Sequence, residues 1–156
     1  MHIIYHCYGG AHSSVTAAGI HLGLITDETI PTPEEILALP FYDQPKQEDH
    51  GYLRFLGEDQ KGNKIYIIGR RGLKNSFPTL VQSLGKLLGI PSEELLVVDT
   101  VPYVNWMMVL GGFTSRRLDW VSLGRPLVIR GTRKAFKKFV QLVHKVRIQC
   151  EGGTTH

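Results

Sequence analysis

The sequence predicts an α/β fold: a three-layer sandwich with a mostly parallel sheet, one antiparallel hairpin and helices on both faces. Three observations lead there. Short apolar runs alternate with segments of helical period, in the order β-α-(α)-β-β-α-β-α-β-α. Two of those runs are separated only by Gly57-Glu58-Asp59-Gln60-Lys61-Gly62-Asn63, the polar loop of a hairpin. The chain has 156 residues, 42% hydrophobic and 21% charged, which suits one globular domain. Residues 1–150 are expected to form that domain, with 151–156 as a disordered tail.

The elements follow in order. Ile3-Ile4-Tyr5, flanked by His2 and His6, reads as a first strand ending near Cys7. Tyr8-Gly9-Gly10-Ala11 is a turn, and Ser13 or Ser14 is expected to cap the next helix, because a hydroxyl accepts a bond from a free helix N–H. Val15, Ala18, Gly19 and Leu22 recur at helical spacing, and Gly23 stops it. Residues 27–51 form a Pro-rich acidic excursion with Pro31, Pro33, Pro40 and Pro45. Thr32-Pro33-Glu34-Glu35 reads as a helix start, giving a short helix Pro33–Leu39 and then a mobile acidic loop.

Tyr52–Leu56 and Lys64–Ile68 are the hairpin strands, closed by Gly69-Arg70-Arg71-Gly72. Ser76 begins a helix whose apolar face is Leu80, Val81, Leu84, Leu87 and Leu88, stopped by Gly89 and Pro91. Leu95-Leu96-Val97-Val98 is the run expected of a strand covered on both faces. Tyr103–Leu110 reads as helix, interrupted by Gly111-Gly112, with a further short helix over Phe113–Val121. Pro126-Leu127-Val128-Ile129 reads as a last strand, and Thr132 as the cap of a helix to about Val146 with Phe136, Phe139, Val140 and Val143 inward.

Composition narrows function. No apolar run approaches the ~20 residues a membrane span needs, and the first residues lack a signal-peptide pattern. Cys7 and Cys150 make no disulfide framework, so a cytoplasmic protein is expected. Net charge is +4, unevenly spread: residues 1–60 hold nine acids against Lys46 and Arg54, and residues 61–156 hold sixteen bases against five acids. Such a basic half favours phosphate-bearing partners. The basic run Arg133, Lys134, Lys137, Lys138, Lys145 and Arg147 offers a nucleic-acid surface as an alternative, although no RNA-binding motif accompanies it, and a solvated helix face accounts for it equally.

Cys7-Tyr8-Gly9-Gly10-Ala11-His12-Ser13-Ser14 carries the chemistry. Glycines let backbone N–H groups turn inward, a helix start adds a positive dipole end, and two serines add hydroxyls. His12 adds a group that titrates near neutral pH. Together they form a candidate anion cradle. No lysine follows the glycines, so the segment is not a Walker A loop. Ligands of open α/β sheets sit beyond the carboxyl ends of the strands, which adds Arg70, Arg71, Asp99 and Arg130. The candidates are Cys7, His12 and Asp99 for catalysis, and Gly9, Gly10, Ala11, Ser13, Ser14, Arg70, Arg71 and Arg130 for ligand binding. His2, His6, His12 and Cys7 lack zinc-type spacing, so no metal is expected. No motif names a cofactor. The expected partner is a phosphorylated small molecule or nucleotide.

Cys7, Gly10, Ser13 and Ser14 spell Cys-x-x-Gly-x-x-Ser-Ser, which resembles the phosphocysteine loop of IIB subunits of the sugar phosphotransferase system. Cys7, Gly9 and Ser14 are similar to the loop of low-molecular-weight tyrosine phosphatases, but Ser13 stands where those enzymes carry arginine. Both resemblances cover about a dozen residues and imply Cys7 as nucleophile, with Arg70, Arg71 or Arg130 supplying the missing charge. Over most of the chain, Gly9–Ser14, Ile20-His21-Leu22-Gly23 and Pro33–Phe41 resemble an uncharacterised family of short Firmicutes proteins. That resemblance implies a Gly-Gly-x-His-Ser-Ser signature and no activity.

Overall fold

The structure is a computed structural model that describes residues 1–44, 51–116 and 120–152. Four strands form one sheet in the order β2-β3-β1-β4. They are β1 (His2–Cys7), β2 (Arg54–Glu58), β3 (Lys64–Gly69) and β4 (Leu95–Asp99). β1 lies between β3 and β4 and is parallel to both, and β2 pairs antiparallel with β3 through an irregularity between Phe55 and Gly57. The helices are α1 (Ser13–His21), α2 (Pro33–Leu37), α3 (Ser76–Leu87), α4 (Trp106–Arg116) and α5 (Val121–Gly152).

The alternation of a strand fixes which layer each helix joins. Ile3, Tyr5, Ile65, Ile67 and Val98 share one core with Val15, Ile20, Ile36, Leu39, Phe136 and Phe139, so α1, α2 and α5 cover that face. His6 points the other way, with its ring 4.7 Å from the ring of Phe77 on α3. The sandwich therefore has the two helical layers the sequence predicts. All nine residues of α1 are buried. Gly19 makes room for Leu39, whose Cδ2 would lie 2.6 Å from a Cβ there.

The start of α2 is as the sequence predicts. Thr32 Oγ1 accepts from Glu35 N (3.2 Å), and Glu35 Oε2 accepts from Thr32 N (2.7 Å), a reciprocal capping box behind Pro33. The helix ends at Leu37, and the next residues turn back toward α1. The acidic loop expected to be mobile falls largely on residues 45–50, outside the described residues. Tyr42 and Asp43, however, are buried at 1% and 2% exposure.

The C-terminal third departs most from expectation. Residues 126–129 are helix, not strand, and Arg130 and Thr132 lie within α5 rather than at a strand end. Burial of Gly124, Val128, Gly131, Ala135, Phe139, Leu142 and Val146 keeps a three-to-four spacing through Pro126, and packing of this stripe overrides the β-prone run. Thr132 caps nothing; its hydroxyl donates to Val128 O (2.9 Å) and pairs with Tyr42 Oη (2.8 Å). Gly111 and Gly112 do not interrupt α4. A Cβ on Gly111 would meet Val128 N at 2.5 Å, and one on Gly124 would meet Ser115 N at 2.3 Å, so glycines permit α4 and α5 to touch backbone to backbone. The expected helix over 113–121 is divided between α4 and α5, and 117–119 lie outside the described residues. At the end, α5 runs through Glu151 and Gly152, where a disordered tail is predicted; residues 153–156 are outside the description.

The apolar face predicted for α3 also fails to be covered. Leu84, Leu87 and Leu88 are 48%, 81% and 75% exposed, and only Phe77 and Gly85 are buried on this helix. No helix among the described residues is long and apolar enough to cross a membrane.

Candidate functional site

Cys7 ends β1, and its side chain lies on the same face as Ile3 and Tyr5 by strand parity. The chain then arches through Gly9 and Gly10 into α1. Gly10 has φ of 71°, and a Cβ there would sit 2.6 Å from Gly69 N, so only glycine fits. Gly69 is equally constrained, since its Cβ would lie 2.7 Å from Gly9 C. The two loops at the ends of β1 and β3 are thus in backbone contact. Arg70 N donates to Cys7 O and Arg71 N to Tyr8 O, both at 2.9 Å. Gly9 has open space where a Cβ would be, and Tyr8 is 57% exposed, so the arch faces solvent at that point.

Polar groups of the arch converge on the sulfur. Gly10 N donates to Cys7 Sγ at 3.0 Å, and Ser14 Oγ lies 3.3 Å from it. Burial acts to raise the pKa of this thiol, but hydrogen bonds from Ser14, through side chain and backbone, and from Ser13 and Gly10 outweigh it. The net shift is downward from 9.0. Cys150 shifts the opposite way, raised chiefly by burial. Both cysteines are free.

The serines therefore do not cap α1 as the sequence predicts. The N-cap is His12, with no side-chain cap bond. Ser14 serves the sulfur, and Ser13 Oγ lies 2.9 Å from Thr100 Oγ1, which ties the loop to the end of β4. Thr100 also holds the end of β1, through both its N (3.0 Å) and its hydroxyl (2.9 Å) to His6 O.

His12 is half-buried at the N-cap of α1. Its Nε2 lies 3.0 Å from Asp43 Oδ1, and its Nδ1 edge packs on α4, 3.3 Å from a Cβ built on Gly112. Asp43 also accepts from Ser115 Oγ (3.0 Å to each oxygen) and from Arg125 Nε (2.9 Å), while its own N–H donates to Ala11 O (3.0 Å). Burial raises this carboxyl, but the bonds from His12, Arg125 and Ser115 outweigh it and bring the pKa from 3.8 down to about 2. His12 thus clamps the signature loop to α4, α5 and the acidic excursion. Sequence reasoning missed Asp43, Ser115 and Arg125. In sequence Asp43 is one acid of the acidic excursion, and the only local signal is the aromatic pair Phe41-Tyr42 that precedes it.

Asp99 pairs with His6 in the β1–β4 register, so it belongs to the α3 face, opposite Cys7. Its Oδ1 accepts from Val101 N (2.9 Å) and lies 3.7 Å from His6 Nδ1; its Oδ2 lies 3.7 Å from Arg70 Nη2. Burial lowers the His6 pKa from 6.5 to about 4, against the Asp99 charge, which raises it. Arg71 is exposed, at φ of 50°, with its guanidinium 5.9 Å from the Tyr8 ring centre. The structure brings Cys7, Gly9, Gly10, Ala11, Ser13, Ser14, Arg70 and Arg71 to one end of the sheet. Arg130 is on the exposed side of α5 and not at the carboxyl end of a strand.

Lys134, Lys137, Lys138 and Lys145 are exposed, and Arg133 and Arg147 also brace the fold. Arg133 Nε donates to Pro31 O (2.9 Å), and Arg147 Nη2 donates to Ile20 O (3.0 Å) and His21 O (3.1 Å), closing the carboxyl end of α1. A cleft of about 450 Å³ lies at that end of α1, lined by His21, Asp27, Asp59, Lys61, Arg147 and Cys150 among others. Its His21 is enclosed between Tyr5 Oη (2.7 Å) and Asp59 Oδ2 (3.1 Å). Among the described residues no group of three or more His, Cys, Asp or Glu is placed to hold a metal.

No curated protein and no solved structure matches the chain. Residues 2–148 match the family described as Protein of unknown function (DUF3189), and the chain belongs to that family.

Proposed function

We propose that the Cys7–Ser14 arch binds the phosphoryl group of a small molecule or nucleotide and accepts it on Cys7. The observation that carries this reading is the convergence of Gly10 N–H and the Ser14 hydroxyl on Cys7 Sγ at the start of a buried helix. Groups that stabilise a thiolate there also suit the oxygens of a phosphate, because both carry negative charge. The lowered thiol pKa favours the thiolate, the nucleophilic form of the sulfur. In the transfer step the thiolate electron pair forms the S–P bond. The P–O bond to the donor breaks, and its electron pair leaves on the donor oxygen, which takes a proton from water. Arg71, beside Tyr8, supplies positive charge at the mouth where the similar phosphatase loop has arginine in place of Ser13. Arg70 is engaged with Asp99, and His12 with Asp43, so neither is assigned the transfer.

The test is a thermal-shift series with phosphate, sulfate, sugar phosphates and nucleotides, with and without magnesium, on wild type, Gly10→Val and Cys7→Ser. Wild type is expected to be stabilised by a subset of phosphates, and Gly10→Val, if folded by circular dichroism, to lose that response. Cys7→Ser keeps binding but forms no phosphoryl adduct detectable by mass spectrometry. No response to any anion in folded wild type overturns the cradle. A phosphoryl adduct on Cys7→Ser at the wild-type level removes Cys7 from the chemistry.

A further inference from the structure

The site continues beyond the arch. β1 lies next to β3, yet α1 after β1 covers one face and α3 after β3 covers the other. The ends of these two parallel strands are a topological switch point, where open α/β sheets bind ligands. One side of it is Cys7–Ser14. The wall beside it is Arg70-Arg71-Gly72-Leu73-Lys74-Asn75, joined to the first through Arg70 N to Cys7 O and Arg71 N to Tyr8 O.

That second wall has the chemistry of an anion site in its own right. It holds three cations in five residues, and the first turn of α3 contains no acid. Lys74, like Arg71, is exposed and non-glycine at positive φ, 38° against 50°. Beneath the turn lie buried polar atoms with no hydrogen-bond partner among the described residues: both ring nitrogens of His6, which is 1% exposed, and Nε of Arg70. Orphaned polar atoms on two adjoining residues are uncommon in a folded protein and mark a place where a further polar group is accommodated. Asp99, the acid facing the turn, is matched by Arg70 and by Val101 N–H.

We infer that the ligand carries two anionic groups: a phosphoryl group in the Cys7–Ser14 arch and a second phosphate on the β3–α3 turn, read by Arg71 and Lys74. The substrate class is then a diphosphate or bisphosphate rather than a monophosphate. The inference rests on the phosphate-binding reading above. Arg70, pinned by Asp99, shapes the turn and is a positioning residue.

The test compares inorganic phosphate with pyrophosphate by isothermal titration on wild type, Lys74→Gln, Arg71→Gln and Lys137→Gln, the last a charge control on α5. Pyrophosphate is expected to bind wild type on the order of tenfold more tightly than phosphate at fixed ionic strength. Lys74→Gln is expected to remove most of that preference, lowering pyrophosphate affinity far more than phosphate affinity. Arg71→Gln weakens both ligands, and Lys137→Gln neither. Equal affinity for the two probes, or equal losses for both in Lys74→Gln, overturns the two-anion site and leaves the arch standing. Failure of wild type to bind either probe overturns both.

Discussion

Asp43→Asn tests the clamp that holds the signature loop in place. The carboxylate is 2% exposed and meets His12, Ser115 and Arg125 at 2.9–3.0 Å. Its pKa falls from 3.8 to about 2, so ionisation favours the folded state by roughly 2 kcal/mol. Asparagine has the same shape but no charge, and its NH2 group, in place of one oxygen, faces the donor of either His12 or Arg125. The expected loss at pH 7 is therefore about 2–3 kcal/mol, or roughly 5–10 °C in Tm for a domain of this size. The pH dependence follows from the direction of the shift. A depressed carboxyl stabilises the fold above its unfolded pKa, and the contribution disappears as pH falls through the folded value. The gap between wild type and Asp43→Asn should thus shrink by about half between pH 7 and pH 3. Urea denaturation at a series of pH values measures it. A variant within about 0.5 kcal/mol of wild type at pH 7, or a gap independent of pH, would refute the clamp.

Other consequences are equally direct. In a Cys150→Ser background, titration of Cys7 by ultraviolet thiolate absorbance should give a midpoint below 9.0, and Ser14→Ala should raise it. A Cys7 midpoint at or above 9.0 contradicts the hydrogen-bond account of the arch. Gly124→Ala puts a Cβ 2.3 Å from Ser115 N and 2.6 Å from Gly111 O, so α4 and α5 must separate. A loss of about 3 kcal/mol in chemical denaturation is expected, against a few tenths if the helices slide without strain.

Much of this was legible in the sequence because local signals and tertiary packing agree. β1 and the hairpin combine apolar runs with glycine stops, β4 is a continuous apolar run, and the Thr32–Glu35 capping box needs only four residues. The C-terminal third was not legible because two signals conflict. Leu127-Val128-Ile129 after Pro126 has the composition of a strand, yet it sits in a three-to-four stripe that only a thirty-two-residue helix explains. Gly111-Gly112 reads as a break, and the long-range contact of Gly111 with α5 makes it a spacer instead. The site divided the same way. The arch was visible as consecutive residues, whereas Asp43, Ser115 and Arg125 come together only in the fold, more than seventy residues apart in the chain between Asp43 and the other two. His12 was read by its chemistry alone, and its partner Asp43 is visible only in the fold.

The central claim is that the arch binds phosphate, and an NMR amide titration with inorganic phosphate tests it most directly. Saturable shifts should be concentrated at Gly9, Gly10, Ala11, Ser13 and Ser14, extend to Arg71, and vanish in a folded Gly10→Val variant. Shifts confined to the lysines of α5, or none in the arch at saturating phosphate, would contradict it and reduce Cys7–Ser14 to a turn between strand and helix.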